Sequence, residues 1–294
     1  MQLVATATYL KRWAAQMRFG LARFGSHRLQ CAFFLFAFVS LCSRATASGA
    51  DFLLRDFELA GQVFRYQVYR PSSNPHGTGI ILYLHGAGGI GTDGVKQVHG
   101  GLAEELRAHP DKFPYVIVFP QASERWVTAD MERVAMTALD RSIREFHTDD
   151  SRQYLIGYSV GAAAAWRLAF EYPARFAAVV PIAGYVESPT KLFTPEESAS
   201  DLKTHGYLHQ PDVFAALAER VRSMNILIYH GTNDDIVPIL QSRSEFAALQ
   251  ATGSHARFVE LPSVDHQGIV KLALSDQALW EWLGAQRQSS AVSR

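Results

Sequence analysis

Residues 154–173 read YLIGYSVGAAAAWRLAFEYP and set one hydroxyl, Ser159, between Gly157 and Gly161. An apolar run stops there and an alanine-rich helical pattern starts. That is the strand–turn–helix setting in which a GxSxG serine is presented as a nucleophile. The corner forces the serine into a strained backbone conformation, and flanking glycines remove Cβ atoms that would clash. A serine hydroxyl needs a base to take its proton and a third group to orient that base. Two downstream segments supply both. HGTNDDIVP (230–238) follows the apolar run NILIY and carries Asp234 and Asp235, either of them placed to orient a histidine. PSVDHQG (262–268) follows the last strand-like run and puts His266 on a loop. The only other histidine after Asp235 is His255, which precedes that run. Upstream, YLHGAGG (83–89) has glycines just past an early buried run, where an oxyanion hole takes one N–H. Ala87 is the candidate donor there, and the turn after Ser159 makes Val160 the other. His85 and His230 read as packing histidines.

These pieces need a scaffold that ends several strands at one edge. Residues 79–86, 115–120, 153–158, 177–184 and 225–231 are short continuous apolar runs, and 61–71 alternates like a half-exposed strand, with a last strand at 257–262. Helical periodicity occupies 131–146, 159–172, 211–221, 240–250 and 275–283. Continuous apolar strands alternating with helices imply an α/β fold with a mostly parallel sheet covered on both faces. Two segments break the alternation: the glycine-rich 86–101 and the polar excursion 185–210. Long loops of this kind are often functional. Residues 285–294 read as a loose tail.

The chain begins differently. Six Lys and Arg but no acid precede residue 51, followed by CAFFLFAFVSLC (31–42) and the small-residue site Ala45–Thr46–Ala47. A basic region, about a dozen apolar residues and an A-x-A site describe a secretory signal peptide over 1–47, with translation starting at Met1 or Met17. The apolar run falls short of the roughly 20 residues a membrane span needs. Cleavage removes Cys31 and Cys42, the only cysteines, so residues 48–294 form one domain without disulfide, thiol nucleophile or thiolate metal site. The remaining 22 basic residues face 28 acids, a net charge of −6 that gives no footprint for nucleic acid.

The order serine, acid, histidine is that of α/β-hydrolases and differs from the orders of the chymotrypsin and subtilisin classes. Over residues 62–286 the motifs LHGAGG, VIVFPQ followed by Trp126, YLIGYSVGA, RFAAVVPIAGY, HGTNDDIVP, VDHQG and LWEWL resemble secreted α/β-hydrolase esterases related to polyhydroxybutyrate depolymerases, feruloyl esterases and dienelactone-hydrolase-like "predicted peptidases". The resemblance implies Ser159 as nucleophile, Asp234 as acid and His266 as base, with oxyanion donors at Ala87 and Val160. It implies no metal and no cofactor, a small or polymer-linked ester as substrate, and a periplasmic or secreted enzyme. Trp126 and Tyr158 are the expected pocket residues, together with the 185–210 excursion. The chain departs from many relatives at Val160, Ala162 and Gly89–Ile90, which bears on the pocket and not on the triad. Three other readings share these residues. They are a serine peptidase (usually with a large gating domain, for which 294 residues leave little room), an acyltransferase, and a catalytically inactive hydrolase-like binding module.

Overall fold

In the computed structural model, residues 51–73, 75–126, 128–187 and 206–288 are described, without the side chains of 206 and 207. The signal segment, residues 188–205 of the excursion and residues 289–294 lie outside the described residues. The apolar runs become the middle of an eight-stranded sheet. In chain order the strands are β1 (Asp51–Leu59), β2 (Gln62–Arg70), β3 (Ile80–Leu84), β4 (Val116–Pro120), β5 (Gln153–Tyr158), β6 (Ala178–Ile182), β7 (Leu227–Gly231) and β8 (Arg257–Leu261). Their spatial order is β1-β2-β4-β3-β5-β6-β7-β8. β1 and β2 pair antiparallel, as do β2 and β4, and the rest pair parallel.

Every residue of β3, β4, β6 and β7 is buried, because helices cover both faces. These helices are α1 (Leu102–Ala108), α2 (Ala129–Phe146), α3 (Val160–Glu171), α4 (Val213–Val221), α5 (Leu240–Ala251), α6 (His266–Ser275) and α7 (Gln277–Ala285). The two-residue period of a strand sends alternate side chains to opposite faces. Ile80, Leu82 and Leu84 join a core with residues of α2, α3 and α4. Ile81 and Tyr83 join the other, with α1, α6 and α7. The described residues belong to one compact unit.

Two expectations are corrected. His266 opens a helix and is not on a loop: Asp265 caps α6 by accepting from Gly268 N–H at 2.7 Å. The start of the expected loose tail is anchored, since helix α7 runs to Ala285, the Gln286 carbonyl accepts from Tyr154 Oη at 3.1 Å and Gln288 N–H donates to Ser151 O at 2.8 Å.

Candidate active site

Register brings the chemistry to one edge. Leu84 of β3 sits beside Gly157 of β5, so the loop from His85 and the corner at Ser159 emerge together. Gly231 of β7 sits beside Leu261 of β8, so the acid loop and the histidine segment do the same. Both edges are the carboxyl ends of parallel strands, where α/β sites form.

Ser159 has φ 56° and ψ −120°, a sparsely populated conformation for a residue with a Cβ. It is tolerated because the backbone around it is packed too closely for anything else. A Cβ on Gly161 would stand 2.2 Å from the Leu84 carbonyl oxygen, and one on Gly157 2.2 Å from the Gly161 carbonyl oxygen. Gly161→Ala should therefore lower the unfolding free energy by about 1–3 kcal/mol or more, as overpacking against fixed backbone does. Gly88→Ala meets nothing within 4 Å and should stay within about 0.5 kcal/mol. Urea unfolding of the two variants reads the difference, and equal midpoints would contradict the packing argument.

The Ser159 hydroxyl donates to His266 Nε2 at 2.9 Å, and His266 Nδ1–H donates to Asp234 Oδ2 at 2.7 Å. All three are largely withdrawn from water: Ser159 is 7% and His266 4% exposed, and the Asp234 side chain is fully buried. Asp234 Oδ1 accepts from the N–H groups of Ile236 (3.0 Å) and Val237 (2.8 Å). Burial opposes its ionisation, but hydrogen bonds from His230, His266 and the Val237 N–H outweigh burial and hold the carboxyl well below the usual carboxylate range. Asp235 is exposed. The structure thus brings Asp234 to His266 and leaves Asp235 at the surface.

Sequence reasoning missed the role of His230. It is fully buried, its Nε2 lies 3.2 Å from Asp234 Oδ2 and 3.0 Å from the Val237 carbonyl, and its Nδ1 lies 2.7 Å from Ser242 Oγ. His230 therefore packs, as expected, and also hydrogen-bonds the acid. The i, i+4 spacing of His230 and Asp234 across a strand end carries no recognisable signal. Tyr158 lies beside the base, its hydroxyl donating to the His266 carbonyl at 2.8 Å and its ring 5.2 Å from the imidazole.

Ala87 opens a short 3-10 turn, Ala87–Gly89, and Val160 opens α3. The N–H of a first helical residue has no partner within its own helix, so both are available to an incoming oxygen. His85 fixes the first of these loops. Its Nδ1–H donates to the Gly86 carbonyl at 2.7 Å, and its Nε2 accepts from Ala122 N–H at 3.1 Å. That pairing needs a neutral imidazole, and burial pushes its pKa down to about 4 against a smaller opposing effect of the Gly86 bond. An unfolded histidine titrates near about 6.5. Between those values the unfolded chain takes up a proton that the folded one refuses. His85 therefore stabilises fully above about pH 6.5, and its contribution is lost as pH falls toward 4. Urea unfolding at pH 7.5 and 4.5 should show a smaller loss on acidification for His85→Gln than for the wild type.

Trp126 is a correction. It does not line the cleft: it is 1% exposed, donates its indole N–H to the His85 carbonyl at 3.1 Å and packs its ring 5.0 Å from the His85 ring. The large apolar ring is worth more beneath the oxyanion loop than on a wet surface. The cleft itself, of about 420 Å³, is walled by the loop from His85 to Gly101 and by Tyr158, Ser159, Ile236, His266, Gln267 and Val270. The flagged glycine-rich segment is thus a wall of the site. Of the other flagged segment, Tyr185 and Val186 are buried, and the Val186 N–H donates to Gln241 Oε1 at 3.0 Å. Among the described residues no cluster of three or more His, Cys, Asp or Glu is assembled that could hold a metal, and none of their helices is long and apolar enough to cross a membrane.

This strand order, with the serine corner after β5, the acid after β7 and the histidine after β8, defines an α/β-hydrolase. The model of the prolyl oligopeptidase family (Peptidase_S9) matches residues 122–287, more than half of the chain. The chain belongs to that family. Among solved structures, a thermostable esterase aligns with a TM-score of 0.62 at 24% identity, over 81% of this chain and 63% of its own. The S-formylglutathione hydrolase of Agrobacterium tumefaciens aligns with a TM-score of 0.63 at 17% identity, over 83% and 97%. An uncharacterized secreted protein of Arthroderma benhamiae is 23% identical over 232 residues, 71% of this chain and 24% of that protein. The chain spans about a quarter of that fungal relative and less than two thirds of the thermostable esterase. The chain is thus a member of the α/β-hydrolase superfamily.

Proposed function

We propose that the protein is a serine esterase that cleaves carboxylic esters through an acyl-enzyme. The observation that carries this reading is the continuous hydrogen-bond chain from Ser159 through His266 to Asp234 at the carboxyl edge of the sheet. As Ser159 Oγ attacks the ester carbonyl carbon, His266 Nε2 takes its proton, and Asp234 holds the imidazole and stabilises its cation. The carbonyl oxygen becomes the tetrahedral oxyanion and receives the N–H groups of Ala87 and Val160. Collapse expels the alkoxide, which takes the proton from His266 and leaves Ser159 acylated. Water then attacks the acyl group as His266 takes its proton, the acid forms, and the proton returns to Ser159.

The substrate is a small or polymer-linked ester, and the amino-terminal segment exports the enzyme to the periplasm or the medium. A second reading, peptide hydrolysis, is favoured by the family model that matches this chain. The chemistry separates the two in one direction only. An alkoxide leaves more readily than an amide nitrogen, so a triad that opens peptides opens esters faster. A panel of p-nitrophenyl and alkyl esters beside matched peptide anilides tests the proposal. Esterase function predicts turnover of the esters alone, and turnover of the peptide anilides beside the esters would make it a peptidase.

A further inference from the structure

One side chain in the cleft wall has no part in this chemistry and no partner of its own. Gln97 lies in the 3-10 turn Lys96–Val98 and is 2% exposed. Neither its amide nitrogen nor its amide oxygen makes a hydrogen bond, and the residue walls the cleft that holds Ser159 and His266. Gln121, equally buried, shows what a structural glutamine looks like in this loop. Its Oε1 accepts from Gly94 N–H at 2.6 Å, and its Nε2 donates to Asp93 Oδ1 at 2.9 Å and to the Gly89 carbonyl at 3.2 Å. The turn carrying Gln97 is held from both ends. Asp93 Oδ1 accepts from the N–H groups of Val95 (2.8 Å) and Lys96 (3.0 Å), and Arg107 donates to the Val98 carbonyl at 2.7 Å. Those bonds fix the backbone of the turn and hold Gln97 in the cleft wall. A buried amide with both ends unpaired is destabilising and rare, and calls for a reason. Methionine or leucine would fill the space without that cost.

We propose that Gln97 selects the substrate: the cleft takes an ester bearing an uncharged group that both donates and accepts a hydrogen bond, a hydroxyl or a primary amide, and that group pairs with the Gln97 carboxamide. The inference rests on the hydrolase reading and narrows it. A carboxamide presents N–H donors and a carbonyl acceptor side by side. An anion would satisfy only the first and a cation only the second, whereas a neutral donor–acceptor satisfies both. The lysine on the same cleft, Lys96, is exposed at its rim, where water screens it. The terminal torsion of a glutamine is broad, so a small rotation turns the amide from the wall toward an arriving group. Pairing then relieves a penalty already present in the free protein. That is why sites built to hydrogen-bond a substrate reject its apolar isostere strongly.

The test uses isosteric pairs that exchange a carboxamide for an isopropyl group on either side of the ester. Methyl succinamate is compared with methyl 4-methylpentanoate, and 3-amino-3-oxopropyl butyrate with 3-methylbutyl butyrate. In one of the two pairs the wild type should prefer the amide by about 10- to 100-fold in kcat/KM, and the pair that responds tells whether Gln97 reads the acyl or the alcohol side. In Gln97→Met the preference ratio should collapse toward one or invert, with a thermal midpoint equal to or above that of the wild type. Equal rates within both pairs, or a preference that survives Gln97→Met, would overturn the inference. A lowered midpoint with all four esters slowed alike would make Gln97 a structural residue and overturn it as well. Binding of the four esters to Ser159→Ala, read by ligand-observed NMR, needs no turnover. An amide preference there without hydrolysis by the wild type would sink the esterase reading alone, and no preference there would sink this one.

Discussion

Ser159→Ala should lower ester turnover by about 10⁶-fold, the scale on which removing the nucleophile of a triad acts. The residual rate should come from the oxyanion N–H groups and from substrate binding. The variant isolates chemistry from folding. Alanine keeps the Cβ and hence the backbone strain at φ 56°, and it removes only the hydroxyl that donates to His266 Nε2. The loss should fall on kcat, with the unfolding midpoint close to that of the wild type. A variant that keeps a tenth of wild-type kcat would show that another group attacks the ester.

Asp234→Asn should cost about 10⁴-fold in kcat. An asparagine oxygen can still accept from the Ile236 and Val237 N–H groups, so the loop keeps its shape. Its amide, however, presents N–H where the carboxylate presented Oδ2. His266 Nδ1 must then accept, the ring proton moves to Nε2, and the base faces Ser159 with its lone pair gone. The carboxyl's hold far below the ordinary range means that the wild type keeps Asp234 ionised throughout neutral and mildly acidic pH. Acidification in that range should therefore act on activity through groups other than Asp234. The exposed neighbour is the control: Asp235→Asn should leave kcat within a factor of about two. The reverse ranking of the two variants would move the acid by one residue.

Much of this site can be read from the chain because parallel strands buried on both faces leave unbroken apolar runs. Those runs locate β3, β4, β5, β6 and β7, and the residues just past them, Ala87, Ser159 and the pair Asp234 and Asp235, follow at once. β1 is less visible: as an edge strand paired only with β2, it shows one fully buried residue, Phe57, and no run. The helix opened by His266 is hidden by Gly268 in its first turn, which reads as a loop until Asp265 is seen capping it. Trp126 misleads because an aromatic near a site is equally consistent with a pocket wall and a brace, and only its bond to the His85 carbonyl distinguishes them. His230 and Gln97 are illegible for a common reason. Their importance lies in a partner made or a partner missing across the fold, and neither is a property of spacing.

The most direct measurement of the central claim is labelling of the purified protein with a fluorophosphonate, followed by digestion and mass spectrometry, with Ser159→Ala in parallel. The account predicts a single adduct on the peptide that contains Ser159 and none in the variant. A folded wild-type protein that takes up no label would contradict it and leave the fold serving binding without catalysis.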